Sequence, residues 1–564
     1  MKEEISLALS SCKEILEFAT GSPTVPETLE DSVFERFQKT PKTAREHLLA
    51  YLDHRIIRDI PDNVRDQALG DPQVSHFVAD INLNIAVKMG DHLGQIISGN
   101  NNLNGFRTSK NCIKAVTDYV EGLKPSMWYD SEFETKFEVP SFQPMTFSYA
   151  HINMESKLSK TLNYLKQPID DIVKYKTLLP HEMIEAGKLL YRMKYTGKGI
   201  NDLFQAAYDN GDPNGLVLSG ILKEYGIGVE KNKTAAAEMF FEEIEGTPVA
   251  VGRIGLLFNE KDSPIGYSQE EVATKLVEAA NRGHGDSMYR LMLLFNDPQF
   301  VQYNKTRAME YRMKMLLKRE NHGHMMYETA RLMFDPNNNI TCMSAATFIQ
   351  NCILSTNIEV LLLDELASRY YEEQMYRPAL VLYQFLGELG IMSAQLNAAF
   401  MLEGGIGCSK VGEELRFKKA LDLYKMVHIM ERETMWKYVI DGIPGLPGTA
   451  AARIGNMYFD GKGLERDIDQ AIEWYKIAYE DQQPEAIYKL GLIKTYYDKE
   501  NKYKLKEASE YFIELMNIRG FSTIGYLMLI NYYLDYASAD TLMVALGLIL
   551  VALCTMCWKK YQGF

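Results

Sequence analysis

The sequence predicts an all-α protein, an α-solenoid of stacked helix–turn–helix repeats that ends in one C-terminal transmembrane helix. Three observations lead to this fold class. Small residues recur at a fixed spacing through the middle of the chain, an uncharged run of eighteen residues lies near the C-terminus, and the N-terminal third has helical periodicity. With 564 residues, of which 46% are hydrophobic and 24% charged, the chain can bury several domains' worth of core.

Charge and cysteine content exclude two classes of protein. The formal net charge is −14, and no run of basic residues is present that could follow a phosphate backbone, so we expect no nucleic-acid partner. The seven cysteines are too few and too scattered for a disulfide scaffold, and we expect stability to come from packing. They are Cys12, Cys112, Cys342, Cys352, Cys408, Cys554 and Cys557.

The N-terminal region, residues 1–136, has apolar side chains at helical spacing, as in Ile5, Leu9 and Cys12. Two interpretations remain open for this region: diverged repeats, or an independent helical cap. Residues 137–180 are the predicted linker, because they begin with the proline-spaced segment FEVPSFQPMTF.

A repeat is visible when residues 217–228, 395–407 and 449–463 are aligned. In each segment a small anchor residue is followed by two glycines, six and eight positions later. The anchors are Gly220, Ala399 and Gly455, and the glycine pairs are Gly226 with Gly228, Gly405 with Gly407, and Gly461 with Gly463. Beyond Gly455, Ala471 follows at plus sixteen, and Trp474 and Tyr475 follow at plus nineteen and plus twenty.

The anchor position recurs along most of the chain, with most steps between 32 and 39 residues. We predict two blocks of repeats, 181–345 and 346–520. The anchor column reads Gly187, Gly220, Gly255, Met292, Arg331, Ala367, Ala399, Gly455 and Gly491.

Each unit is interpreted as a helix, a glycine turn and a second helix. The small anchor is expected to let two helix backbones approach, the glycine pair to supply positive φ angles, and the aromatic pair to fill the groove beside the next repeat. A single hairpin of this kind cannot bury its apolar face, so neighbouring hairpins must stack. A nucleotide-binding loop is excluded, because each glycine pair follows a helical pattern and lacks the third glycine.

The C-terminal region contains the predicted transmembrane helix, residues 541–558. This uncharged run would extend about 27 Å and is bounded by Asp540 and by Lys559-Lys560. The two lysines place the short tail, 559–564, in the cytosol. The preceding segment, 521–540, begins with fourteen uncharged residues, which are too few to span a bilayer. It is either an interfacial segment or the last helix of a soluble core.

The repeat pattern resembles the Sel1-like repeat, a relative of the tetratricopeptide repeat. It is seen here as Ala379, Tyr383, Leu386-Gly387, Gly390 and Ala394. Residues 378–403 further resemble the adaptor-subunit family of the HMG-CoA reductase degradation (HRD) ubiquitin ligase, in which an AQxNAAF stretch precedes two repeats, an apolar segment and one membrane helix. The stretch Ala394 to Phe400 matches, and the later features follow in that order.

The resemblance implies a non-enzymatic adaptor of the endoplasmic reticulum membrane with its bulk in the lumen. Such an adaptor presents misfolded proteins, or a lectin that delivers them, to a multispanning RING-type ubiquitin ligase and stabilises that ligase. The first residues, with Lys2, Glu3 and Glu4 before a short apolar stretch, do not form a secretory signal. This favours the alternative, a tail-anchored cytosolic scaffold that assembles signalling or trafficking proteins at a membrane.

The chain offers candidate modification sites but no candidate catalytic site. Asn232, Asn304 and Asn339 begin N-x-T sequons and are candidate glycosylation sites in a lumenal protein. No nucleophile motif or phosphate-binding loop is present. The histidine pair His322 and His324 lacks further ligands at metal-binding spacing. We therefore expect no catalytic residue, no metal and no cofactor.

Overall fold

The computed structural model describes most of the predicted repeat region. It covers residues 40–69, 72–106, 108–123, 178–192, 197–242, 269–282, 285–296, 302–317, 333–432, 446–496, 504–517 and 524–529, with isolated residues between them. Within these ranges every regular element is a helix, and no strand occurs. The predicted all-α class is confirmed, and the succession of packed antiparallel helices supports an α-solenoid.

The helices are mostly 10 to 15 residues long, the length that a two-helix repeat allows. They are α1 (Ala44–Arg55), α2 (Asp62–Leu69), α3 (Pro72–Lys88), α4 (His92–Asn104), α5 (Cys112–Leu123), α6 (Pro180–Arg192), α7 (Gly199–Asp209), α8 (Pro213–Tyr225), α9 (Lys233–Glu242), α10 (Gln269–Asn281), α11 (Gly285–Asn296), α12 (Lys305–Leu317), α13 (Asn339–Thr356), α14 (Ile358–Glu372), α15 (Tyr376–Glu388), α16 (Met392–Glu403), α17 (Glu413–Arg432), α18 (Leu446–Asp460), α19 (Ile468–Glu480), α20 (Pro484–Tyr496) and α21 (Lys504–Asn517).

Helix ends are set by side chains and glycines that satisfy the free backbone groups. Thr43 and Glu46 form a capping box at the start of α1, each side chain accepting from the other residue's backbone N–H. Asp212 caps α8, which starts at Pro213 and ends at Gly226 in the left-handed conformation.

The chain divides into two compact units. Unit 1 comprises Met1–Ala394, Ile406–Lys410 and Thr434–Ile440, and unit 2 comprises Gln395–Gly405, Val411–Glu433 and Asp441–Phe564. Within the repeat region, the boundary between the two units falls near residue 394.

Unit 1 contains helices that pack in chain order and helices that do not. Helices α6 to α9 pack each on the next, as do α10 to α12 and α13 to α15. In contrast, α5 and α4 pack against α13, more than 200 residues further along the chain. In this part of unit 1, helices far apart in sequence pack together in addition to the neighbouring helices.

Unit 2 contains a regular stack of five helices, in which α17 packs on α18, α18 on α19, α19 on α20, and α20 on α21. Its core combines alanines, which let helices approach, with one large tyrosine ring. The core residues are Ala451, Ala452, Ala471, Tyr475, Ala478, Ala486, Leu490 and Ile493.

The predicted membrane segment lies outside the described residues, as do the tail 559–564 and the linker up to residue 177. Among the helices that the structure describes, none has the length and apolar character needed to cross a bilayer. From 521–540, residues 524–529 are described and are helical. There Leu529 is buried with Phe512 and Ala508, whereas Ile524 and Leu527 are exposed.

Candidate functional site

The functional element of the described chain is the repeat hairpin, and its centre is a glycine against an aromatic ring. A Cβ atom added to Gly455 in α18 would lie 2.7 Å from Cδ1 of Tyr475 in α19, closer than real Cβ contacts. Gly220 faces Phe240 in the same way, also at 2.7 Å. The glycine therefore makes room for a ring from the second helix of its own hairpin.

Two more predicted anchors have the same arrangement. Gly187 in α6 lies against Phe204 in α7, and Gly491 in α20 lies against Phe512 in α21. The four aromatic side chains are at most 1% exposed. Each ring therefore fills the space between the two helices of its own hairpin.

The other predicted repeat residues occupy less uniform positions. Ala471 is buried in α19. Trp474 lies edge-on to His428 of α17, with ring centroids 5.1 Å apart, so this aromatic contacts a helix of the preceding repeat. Ala399 is buried in α16. Arg331 is exposed and does not fit an anchor position.

Tyr475 also links three helices of unit 2 by hydrogen bonds. Its hydroxyl donates to Oδ1 of Asn456 in α18 at 2.7 Å, and Nδ2 of Asn456 donates to Oε1 of Glu485 in α20 at 2.8 Å. Burial raises the pKa of Tyr475 above its usual value, with Glu485 contributing in the same direction. The phenol therefore keeps the proton that it donates to Asn456.

All six turn glycines have positive φ, between 65° and 76°. They are Gly226, Gly228, Gly405, Gly407, Gly461 and Gly463. The first glycine of a pair closes the helix: the Gly461 N–H donates to the Met457 carbonyl at 2.9 Å, and the Gly226 N–H donates to the Leu222 carbonyl at 2.8 Å.

The second glycine of a pair has an additional role. A Cβ on Gly463 would meet the Cβ of Phe417 and, at 3.1 Å, its backbone carbon, at the start of α17 in the preceding repeat. Within unit 1, Gly407 lies in the same way against the Tyr376 backbone at the start of α15. In unit 2 the second glycine therefore allows close contact between two successive repeats, and we call this contact of Gly463 with Phe417 the inter-repeat contact. Sequence reasoning missed this role.

Residues 92–123 form a further repeat of the same type. Gly99 in α4 lies against Tyr119 in α5, with 2.7 Å between an added Cβ and Cδ1, and Gly105 caps α4 with a φ of 73°. Gly105, Ala115 and Tyr119 follow Gly99 at plus six, plus sixteen and plus twenty, the offsets seen from Gly455. For this part of the N-terminal region the arrangement favours the interpretation as diverged repeats. The signal was present in the sequence but lacks the second glycine.

A disulfide joins this N-terminal repeat to α13. Cys112, the first residue of α5, is bonded to Cys342 in the first turn of α13, across a sequence separation of 230 residues. The expectation that packing alone stabilises the chain is therefore wrong. Spacing could not have revealed this pair, because the two cysteines are neighbours only after α5 and α13 have packed together.

The three sequon asparagines are exposed. Oδ1 of Asn232 accepts from the Ala235 N–H at 2.9 Å, and Oδ1 of Asn304 accepts from the Arg307 N–H at 3.1 Å, so both side chains cap helices. Asn339 is the first residue of α13. A glycan is attached through Nδ2, and these caps use only the oxygen.

Some predicted positions lie outside the described residues, namely Gly255, His322, His324, Cys554 and Cys557. Among the residues that are described, no group of three or more His, Cys, Asp or Glu side chains has metal-binding geometry.

Comparison with known proteins identifies the hairpins. The Sel1 repeat family matches residues 215–241 and 448–482, and each segment contains a glycine–aromatic pair. No curated protein matches the chain. The structure of a protective antigen of uropathogenic Escherichia coli strains, which displays an SLR fold, is 15% identical to this chain; the match covers 95% of this chain and 97% of that chain with a TM-score of 0.28.

A second solved structure, a Sel1 repeat protein from Oxalobacter formigenes, is 16% identical and has a TM-score of 0.20. That match covers 59% of this chain and 96% of the other. Residues 215–241 and 448–482 are therefore identified as Sel1 repeats, and these repeats indicate a scaffold for protein–protein interaction.

Proposed function

We propose that the chain is a non-enzymatic adaptor of the endoplasmic reticulum membrane, with its repeats in the lumen. In this role it receives misfolded proteins, or a lectin that carries them, and holds them beside a multispanning RING-type ubiquitin ligase. The ubiquitin transfer belongs to the ligase. The membrane helix at 541–558 would tether the array by a single span.

The observation that carries the lumenal assignment is the Cys112–Cys342 disulfide. Disulfides persist in oxidising compartments such as the lumen and are rare in the cytosol, where thiols are kept reduced. The exposure of Asn232, Asn304 and Asn339 supports the same side of the membrane, since a glycan on any of them meets solvent. The adaptor role is supported by the Sel1 repeats and by the resemblance of residues 378–403 to the ligase adaptors.

The test is glycosylation and protease protection of the full chain in intact microsomes. We expect a ladder of glycosylated forms that an endoglycosidase collapses to one band, and repeats that resist protease added outside. Thr306→Ala should remove the glycan on Asn304, whereas the matched control Thr306→Ser keeps the sequon and should keep the glycan.

The adaptor role is tested by gentle detergent extraction and co-purification, which should recover a multispanning RING protein. An unglycosylated chain whose repeats are digested from outside would instead establish the tail-anchored cytosolic scaffold. A lumenal, glycosylated chain without a RING companion would overturn the ligase role alone.

A further inference from the structure

The N-terminal helices α1 to α5 and the segment after α1 contact the region 339–410 through buried groups that are mainly polar. The side-chain amide of Gln384 in α15 bonds to both backbone groups of Ile57: the Ile57 N–H donates to Oε1 at 2.9 Å, and Nε2 donates to the Ile57 carbonyl at 2.9 Å. Gln384 is 2% exposed. This pair fixes the register between two segments that are 327 residues apart in sequence.

Glu388, at the end of α15, provides a second point of contact. Its Oε2 accepts from the hydroxyl of Tyr51 at 2.7 Å, and its backbone carbonyl accepts from Nδ2 of Asn100 at 3.0 Å. Gly390 lies beside this contact, and a Cβ there would meet Nε2 of Gln350 and, at 3.1 Å, Oδ1 of Asn100. The glycine thus leaves room for two amides.

Asp59 provides the third point of contact. It is 3% exposed, and its Oδ1 accepts from the Lys410 N–H at 2.7 Å while Arg377 pairs with Oδ2 at 2.7 Å. Hydrogen bonds of this kind contribute little net free energy, because water replaces the partners when the contact opens. These contacts therefore specify the position of the N-terminal helices but stabilise that position only weakly.

Joining segments this far apart costs chain entropy, and the disulfide removes that cost by keeping the ends together. We propose that Cys112–Cys342 is a redox-sensitive latch that holds the N-terminal repeat, residues 92–123, on α13. Reduction by a dithiol breaks the S–S bond: the two sulfurs take up two electrons and two protons and become thiols, and the dithiol becomes a disulfide. Cys112 is 8% exposed and Cys342 is 1% exposed, so Cys112 is the more exposed residue of the pair. This proposal does not rest on the adaptor function.

The test is hydrogen exchange of the purified full-length chain before and after dithiol treatment, with free thiols counted in each state. We expect reduction to release two thiols and to accelerate exchange in α4 and α5 by roughly tenfold or more, while exchange in α18 and α19 stays unchanged. Removing the reductant and reoxidising the protein should restore the slow exchange.

Variants distinguish a disulfide that holds α4 and α5 in place from one that stabilises the whole protein. Cys112→Ser should exchange like the reduced wild type and should not respond to dithiol. Cys352→Ser, which replaces a buried cysteine of the same α13 that is not part of the disulfide, should behave as the oxidised wild type. Asn100→Ala, which removes the bond from α4 to the Glu388 carbonyl, should accelerate exchange of α4 and α5 more in the reduced state than in the oxidised state.

Unchanged exchange in α4 and α5 after two thiols have been counted would overturn the proposal, as would equal acceleration throughout the described helices. If Cys112→Ser does not fold, the reduction and reoxidation of the wild type decide the matter alone.

Discussion

At the scale of single residues, the glycine–aromatic pair explains why glycine recurs where helix propensity disfavours it. Glycine inside a helix costs about 0.5–1 kcal/mol relative to alanine. It nevertheless lies within α6, α8, α18 and α20, at Gly187, Gly220, Gly455 and Gly491. The ring of the second helix occupies the position of the missing Cβ, so packing prevails over local preference.

Gly455→Ala should therefore destabilise unit 2, opposite to the usual effect of replacing a helical glycine. The added methyl gains about 1 kcal/mol of helix propensity but overlaps Tyr475, for which we expect a net loss of about 1–2 kcal/mol. Urea denaturation of the variant provides the measurement. Combined with Tyr475→Leu, the alanine should cost less than it does alone; strictly additive effects would contradict the packing explanation.

Asp364 in α14 should make unit 1 sensitive to pH. Burial, with a smaller contribution from neighbouring Glu365, raises its pKa to about 7. Because the unfolded chain loses this proton near pH 4 and the folded chain keeps it, the free energy of unfolding should fall as pH rises from about 4 to about 7, by up to roughly 4 kcal/mol.

Asp364→Asn removes this titration and should stabilise the protein at pH 7 but not at pH 4. Denaturation midpoints across this pH range measure the effect, and exposed Asp422 offers a matched control in Asp422→Asn, which should leave the profile unchanged. An Asp364→Asn profile parallel to that of the wild type would show that the carboxyl does not titrate there.

At the scale of the helical element, the two glycines of a turn should differ in what they tolerate. Gly461→Ala places a side chain at a φ of 73°, and the added Cβ would lie 3.2 Å from the Arg466 Cβ, a mild overlap. We expect a loss of stability of about 1–2 kcal/mol, mainly from the backbone conformation. Gly463→Ala carries the same conformational cost and also presses on the α17 backbone. We expect about 2–4 kcal/mol and faster hydrogen exchange in both α17 and α18. Equal effects of the two substitutions would argue against a role of Gly463 in the inter-repeat contact.

The sequence identifies these elements well because their signals are local. Anchor, glycine pair and aromatic lie within about twenty residues, and the positions of Gly455, Gly461 and Tyr475 can be read directly. Sequence reasoning could not tell which surface the ring covers, because the spacing from Gly455 to Tyr475 suits both the same hairpin and the next one. The 92–123 repeat was missed because Arg107 stands where the second glycine is expected.

At the scale of the whole molecule, the placement of the N-terminal helices α1 to α5 is not predictable from spacing. Gln384 and Ile57, Glu388 and Tyr51, and Cys112 and Cys342 are separated by 230 to 337 residues, and nothing in any one segment indicates its partner. A solenoid is ordinarily a one-dimensional stack in sequence order. Here that order is broken within unit 1.

Gln384→Ala should show how strongly unit 1 depends on this arrangement. It leaves the buried N–H and carbonyl of Ile57 without their side-chain partner, for which we expect a loss of about 2–4 kcal/mol. Denaturation under reducing conditions gives the measurement. Exposed Gln470 serves as the control, since Gln470→Ala should change stability by less than about 0.5 kcal/mol. A loss of stability no larger than that of the control would show that Gln384 does not help to hold the N-terminal helices on α15.

The 230-residue span between Cys112 and Cys342 also sets a timetable for biosynthesis. Ribosomes add about 5–20 residues per second, so roughly 10–50 seconds pass between the emergence of the first cysteine and that of the second. Throughout this interval Cys112 lacks its disulfide partner, and the helices around Gly99 and Tyr119 lack their contact with α13. Chaperones that act during translation can therefore bind the surface of α4 and α5 that later contacts α13. This surface stays exposed until residues near 340–410 have been made.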